Sequence, residues 1–191
     1  MEEKTIDKLC RVSLSLFRQN IFGVFHGSIS ARVELSKFIV NKKEAIFDAM
    51  DEEDFTLLRH TRDYRWKEAS LDSEIHSSIY QNIPNAKFVA YAMPPFTTAY
   101  SLENDYVSPR DYFGKRLYPS LQIYDPKDAD DWYERADVEI PRAMIERGSD
   151  ILIIRGYGVY AHAREINDLA KKIAIVENSC KILTHASFKA F

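Results

Sequence analysis

Few side chains in this sequence could do chemistry together. The five histidines, His26, His60, His76, His162 and His185, include no His-x-His and no His-x-x-x-His spacing. No local metal-binding pair is therefore written in the chain. The two cysteines, Cys10 and Cys180, fall on apolar stripes of expected helices and read as buried free thiols. The stretch "FVAYAMPPFTTAYS", residues 88–101, reads as a strand, a tight Pro-Pro corner and a helix start. Tyr91 and Met93 flank that corner. A phenol with a pKa of ~10 must lose its proton to bind metal well. A thioether prefers soft ions such as Cu(I). In "SLDSE", residues 70–74, Asp72 stands just before an expected helix, where an ordinary capping role is the plain reading. Lys42 and Lys43 are paired at a turn and read as solvated charges or as an attraction for an anion.

The elements that must position these groups follow from periodicity. A first helix is expected from Thr5, its cap, to Gln19, with Asn20 ending it. "GSISARVEL" and "KFIVN" form a hairpin, and "DEEDFTLL" reads as a short acidic helix. "SEIHSSIYQNI" is a helix stopped before Pro84, and "AKFVAYAM" is a central strand. Residues 102–127, rich in Tyr, Pro and Asp, give no clear pattern beyond short strands around "SLQIY". A helix from about Ala129 to Arg147 is expected to be interrupted or bent near Pro141 and to close at Gly148. "DILIIRG" is a buried strand with "YGVYAHA" paired beside it. In the last helix Ile166, Leu169, Ile173, Val176, Cys180 and Leu183 form a single apolar stripe. Strands clustered between flanking helices predict a three-layer α/β/α fold with a central mixed, largely antiparallel sheet.

At 191 residues, the chain is long enough for one domain, spanning 1–191, with a full core. A net charge of -3 argues against nucleic acid or an anionic membrane as partner. No apolar stretch approaches the roughly 18 residues of a membrane span. The polar start, "MEEKTIDKLC", is unlike a secretory signal, so a cytoplasmic location is expected.

Four segments in order resemble the class II aldolase and adducin head family over nearly the whole chain. "FHGSISAR" is similar to its Gly-Asn-Ile-Ser-x-Arg hairpin at Gly27, Ser28, Ile29, Ser30 and Arg32. "ASLDSEIHSSIY" is similar to its Pro-Ser-Ser-Glu-x-x-x-His-x-x-Ile-Tyr segment, ending at His76, Ile79 and Tyr80. "YAMPPFTTAYS" resembles its His-x-His-x-Pro-x-x-Thr-Ala-x-Ser corner. "ILIIRGYGVYAHA" resembles its Leu-Leu-x-x-His-Gly strand turn. The resemblance implies chemistry that splits, dehydrates or epimerises small phosphorylated sugars. Three histidines there hold a divalent metal as Lewis acid, and a carboxylate moves the proton.

Carried onto this chain, the ligand positions are Tyr91, Met93 and Tyr157, and none is histidine. No metal site and no cofactor is therefore expected. The carboxylate position falls on Asp72, or on Glu74 if the register slips. The remnant ligand or anion pocket comprises Gly27, Ser28, Ser30, Lys42, Lys43, Met93 and His26. The family's Thr-x-Ser-Gly phosphate turn is replaced by "VNKKEA". A replacement site would have to draw on His26, His76 and His162.

Three functions stay open. The first is a non-catalytic pseudoenzyme kept for assembly or binding, its vacated pocket filled by Tyr91, Met93 and Tyr157. The second is a metal-independent isomerase or lyase on a small carbohydrate-like substrate, using Asp72 with Tyr91 and Tyr157. The third is a small-molecule sensor. The resemblance also implies a homo-oligomer, with a tetramer first and a dimer second. Tyr106, Tyr112, Phe113, Tyr118 and Tyr124 beside Arg110 and Arg116 are candidates for its interface.

Overall fold

The computed structural model describes residues 2–24, 26–128 and 130–187. The first apolar stripe forms helix α1 (Glu2–Arg18), which buries Ile6, Leu9 and Leu16. The helix begins ahead of Thr5, which lies inside it rather than capping it. Asn20 ends the run at φ 56°, and its N–H returns to the Phe17 carbonyl at 2.9 Å. Strands β1 (Ser28–Glu34) and β2 (Lys37–Asn41) make the expected hairpin.

The stretch 51–58 departs from the expected acidic helix. Asp51 caps a single 3-10 turn over Glu52–Asp54, which buries no residue. The chain then extends as β3 (Phe55–Arg59), paired antiparallel with β2. The acidic residues have no apolar face to bury, whereas Phe55 and Leu57 face one layer of the core and Leu58 the other.

Helix α2 (Ser73–Asn82) leads to the central strand β4 (Phe88–Ala92), and the Pro-Pro corner opens helix α3 (Pro95–Glu103). Pro95 sits in the first turn, where a missing N–H costs nothing. Residues 102–127 contain the two-residue strands β5 (Tyr106–Val107) and β6 (Leu121–Gln122). Between them lies the short helix α4 (Tyr112–Leu117), which the sequence did not suggest. Helix α5 (Trp132–Arg147) carries Pro141 inside one continuous element and closes at Gly148, φ 57°. Its expected start, Ala129, lies outside the described residues. The hairpin β7 (Ile151–Ile154) and β8 (Gly158–Ala163) precedes the long helix α6 (Ile166–Ser187).

The sheet has six strands in the order β3-β2-β1-β4-β8-β7. Every neighbouring pair is antiparallel, and the parallel contact among the described residues is a single bridge, Tyr124–Ile154. Alternation along β4 and β8 divides the core. Phe88, Ala90, Ala92, Val159 and Ala161 face α1 and α6, while Val89, Tyr91 and Tyr160 face α2 and α5. Cys180 is buried in the first layer and Cys10 is half-buried at its edge, both as free thiols. The sheet register sets a row of side chains on the second face: Ser28 pairs with Tyr91, and Tyr91 with Tyr160. Gly158 lets β8 approach the corner. A Cβ there would stand 2.4 Å from the Ala92 carbonyl oxygen, and its φ is +131°.

Candidate functional site

The row Ser28, Tyr91 and Tyr160 is covered by the start of α2, which brings Asp72 over it. Asp72 occupies the N-cap position but makes no capping bond. Its Oδ1 instead accepts a 2.7 Å hydrogen bond from Tyr160 Oη. The nearby hydroxyls of Ser28 and Tyr133 favour its charged form. The capping role that the sequence suggested is thus replaced by a contact across the sheet. Asp72 is 7% exposed and Tyr160 fully buried. No cation forms an ion pair with Asp72 among the described residues. Burial raises its carboxyl above the ordinary range, and the hydroxyl donors oppose that rise.

Asp72 forms part of the floor of an open cleft of about 250 Å³. Tyr91, Tyr157 and Tyr133 form its aromatic wall, with His26, Gly27 and Lys43 also lining it. The Tyr91 hydroxyl donates to the Tyr157 carbonyl at 2.8 Å, and the two rings lie 5.1 Å apart. Burial pushes the phenols of Tyr91, Tyr133 and Tyr157 upward, so all three stay protonated. Tyr133 and Tyr157 thus line the cleft as phenols able to donate to a ligand. Tyr91 has spent its proton on the backbone.

The other expected site residues divide between the cleft and the packed interior. Met93 is 42% exposed and does not line the cleft, so it does not fill the pocket as expected. Lys43 reaches the cleft, whereas Lys42 does not; its backbone is held by bridges to Ala69 and Asp54. Ser28 and Ser30 are fully buried and are taken up by His76 rather than offered to an anion. Glu74 points away, paired with Arg62, which leaves Asp72 as the carboxylate at the cleft. Arg32, from the same hairpin motif, donates to the Tyr80 and Pro84 carbonyls and so closes the end of α2.

His26, His76 and His162 do not converge. His26 lines the cleft, His76 is enclosed beneath it, and His162 sits further along β8, paired in register with Val89. Among the described residues no group of three His, Cys, Asp or Glu side chains is gathered as a metal would need. The donor set at the family's ligand positions does not fit zinc either. Two phenols are held protonated by burial, one of them bonded to backbone, and the thioether lies outside the cleft.

Sequence reasoning missed Tyr160 and Tyr133. Tyr160 had a signal: pairing of the two strands sets it opposite Tyr91. Tyr133, in the first turn of α5, had none.

The profile of the family described as Class II Aldolase and Adducin N-terminal domain matches residues 7–184. Among solved structures, L-fuculose-1-phosphate aldolase from Thermus thermophilus superposes with a TM-score of 0.85 at 20% identity, covering 97% of this chain and 98% of that one. YgbL from Escherichia coli gives 0.79 at 13% identity, covering 100% and 93%. Sugar-phosphate aldolase from Thermotoga maritima gives 0.74 at 12%, covering 98% and 97%. At these identities the likeness is one of fold. No curated protein matches this chain by sequence.

Proposed function

The chain belongs to the class II aldolase and adducin N-terminal domain family, and from that premise we propose that its cleft performs proton transfer without a divalent metal. The substrate class is a small carbohydrate-like hydroxycarbonyl compound, and the reaction is of isomerase or lyase type. One observation carries the reading: Asp72 is buried, faced by hydroxyls rather than by a cation, at the floor of a cleft that remains open. A carboxylate in such surroundings is a poised general base.

In this reading Asp72 takes a proton from the carbon beside the substrate carbonyl. The enediolate oxygen that develops is met by the phenol of Tyr157 or Tyr133, each kept protonated by burial. Tyr91 serves as wall. Lys43 at the mouth favours a substrate bearing a negative group. Aldol cleavage would forgo several kcal/mol of Lewis-acid help, so isomerisation or epimerisation is favoured. A cytoplasmic location belongs to the same reading.

The test is product formation from a panel of small aldoses, ketoses and their phosphates by chelator-treated protein. Conversion that survives chelation and is lost in Asp72→Asn supports the proposal. Binding without conversion would favour the sensor, and neither would favour the pseudoenzyme.

Self-association is proposed separately. Tyr106, Tyr112 and Phe113 are exposed, the last two at 68% each. Tyr118 and Tyr124 instead turn inward, bonded to Asp150 and Glu139. A homo-oligomer, with a tetramer favoured over a dimer, would cover the exposed three beside Arg116. Light scattering that gives a clean monomer near 22.2 kDa would refute it.

A further inference from the structure

Residues 155–157 form the turn between β7 and β8 that carries Tyr157 into the cleft. Inside the turn Tyr157 makes one bond, from its N–H to the Ile154 carbonyl at 3.0 Å. Two residues ahead, the Arg155 guanidinium reaches the end of α3. Its Nη1 donates to the carbonyls of Ser101 at 2.8 Å, Asn104 at 3.1 Å and, more weakly, Leu102 at 3.3 Å. A helix leaves its last carbonyls without partners of its own. Asn104 leaves α3 extended, at φ -129°, rather than in a left-handed cap, and Arg155 takes up those carbonyls instead. Gly156, at φ +67°, follows, and its N–H donates to Ser101 Oγ at 2.9 Å. Ser101 is fully buried and gives its own proton to the Thr98 carbonyl at 2.7 Å.

Helix α3 starts at the corner that ends β4, and β4 carries Tyr91, whose hydroxyl donates to the Tyr157 carbonyl at 2.8 Å. Tyr157 is thus gripped from both sides, through α3 before it and through β4 after it. The ion pairs of Arg155 weigh less. Its Nη2 reaches Asp105 at 2.6 Å and its Nε reaches Asp125 at 3.3 Å, but those carboxylates are 79% and 55% exposed. Exposed ion pairs contribute little. Contact with several carbonyls asks for a planar fork of donors, which a lysine does not supply.

We infer that Arg155 is a positioning residue: by clamping the β7–β8 turn onto the end of α3, it holds the Tyr157 ring in the wall of the cleft. As a contribution to turnover, this rests on the reading of Tyr157 as a phenol that meets the developing enediolate oxygen. With one grip released the ring moves, and a displacement of about 1 Å at a reacting group can cost ~100-fold in rate.

Carbon-13 NMR of protein labelled at tyrosine Cζ reads the ring directly, with the Tyr157 signal identified by its loss in Tyr157→Phe. Arg155→Lys keeps the charge and loses the fork. The Tyr157 signal should shift or broaden in it while that of Tyr160, in the middle of β8, stays. An unmoved Tyr157 signal, or equal movement of both, overturns the inference. Ser101→Ala removes one hydroxyl beside Gly156 and is the milder variant; it should move the Tyr157 signal in the same way, and an unmoved signal there contradicts the clamp. Asp105→Asn should leave Tyr157 in place, since the carbonyl contacts persist; a displaced signal would show that the ion pair holds the turn, against the inference. With a substrate from the activity panel, Arg155→Lys should lower kcat by about 10–100-fold at unchanged KM, because Tyr157 acts on the transition state. A raised KM at unchanged kcat contradicts the positioning role. A wild-type protein that turns nothing over refutes the proposed reaction, while the Tyr157 signal still decides the clamp.

Discussion

Removal of the Tyr160 hydroxyl isolates the contact on which the site depends. The bond to Asp72 Oδ1 is 2.7 Å long and shielded from solvent. A hydrogen bond to a charged acceptor contributes about 1.5–3 kcal/mol, and one to a neutral acceptor about 0.5–1.5 kcal/mol. Tyr160→Phe should therefore cost more when Asp72 is ionised than when it is protonated, with a difference of about 1 kcal/mol. The sign follows from linkage. Burial raises the folded-state pKa of Asp72, so its contribution favours the fold at low pH. That contribution declines as pH rises from the unfolded value of ~3.9 through the folded one. Loss of a donor to the charged form raises the folded value further and prolongs the decline. Urea denaturation of wild type and Tyr160→Phe between pH 4.5 and 8.5 measures it. The stability gap should widen with pH; a constant gap would show that Tyr160 does not hold an ionised Asp72.

Two structural contacts give further tests. Glu177, 8% exposed on α6, accepts from the Phe96 and Thr97 backbone nitrogens at 2.9 and 2.8 Å and from Thr97 Oγ1 at 2.7 Å. It thereby caps α3 from another helix. Glu177→Gln should cost about 1.5–3 kcal/mol in denaturant unfolding, and an unchanged midpoint would refute the cap. Gly158→Ala places a methyl group against the Ala92 carbonyl at positive φ. It should lower the thermal midpoint and loosen the corner, with a loss beyond the ~1 kcal/mol ordinary for such exchanges; an equal midpoint would show that the approach of β8 to β4 is not tight.

The ease with which each part could be read follows its physical origin. The central strand "FVAYA" and the edge strand "ILII" announce themselves because both of their faces are buried, and α6 because its apolar stripe from Ile166 to Leu183 runs along most of a 22-residue helix. The run "DEEDFTLL" misled because its acidic half resembles a helix start while its apolar half is an edge strand. Helix α4 was hidden by Gly114, a poor helix former, which the packing requires: a Cβ would stand 2.1 Å from Ser179 Oγ. Asp72, Tyr91 and Tyr157 could be placed at the site through the family segments. Of their partners, Tyr160 could be reached only by pairing β8 with β4, which sets it opposite Tyr91, and Tyr133 carried no signal. Met93 was assigned to the pocket by its place in the corner, whereas it is 42% exposed and does not line the cleft.

The most direct test of a metal-free proton-transfer site is the pH profile of solvent-deuterium exchange. Chelator-treated protein would be given, in deuterium oxide, a hydroxycarbonyl substrate found in the activity panel. Deuterium at the carbon beside the carbonyl would be followed by proton NMR. The rate should rise through a single midpoint above the ~3.9 of an ordinary aspartate, and the exchange should vanish in Asp72→Asn. Exchange that appears only after zinc is added, or a profile unchanged in Asp72→Asn, would contradict the account.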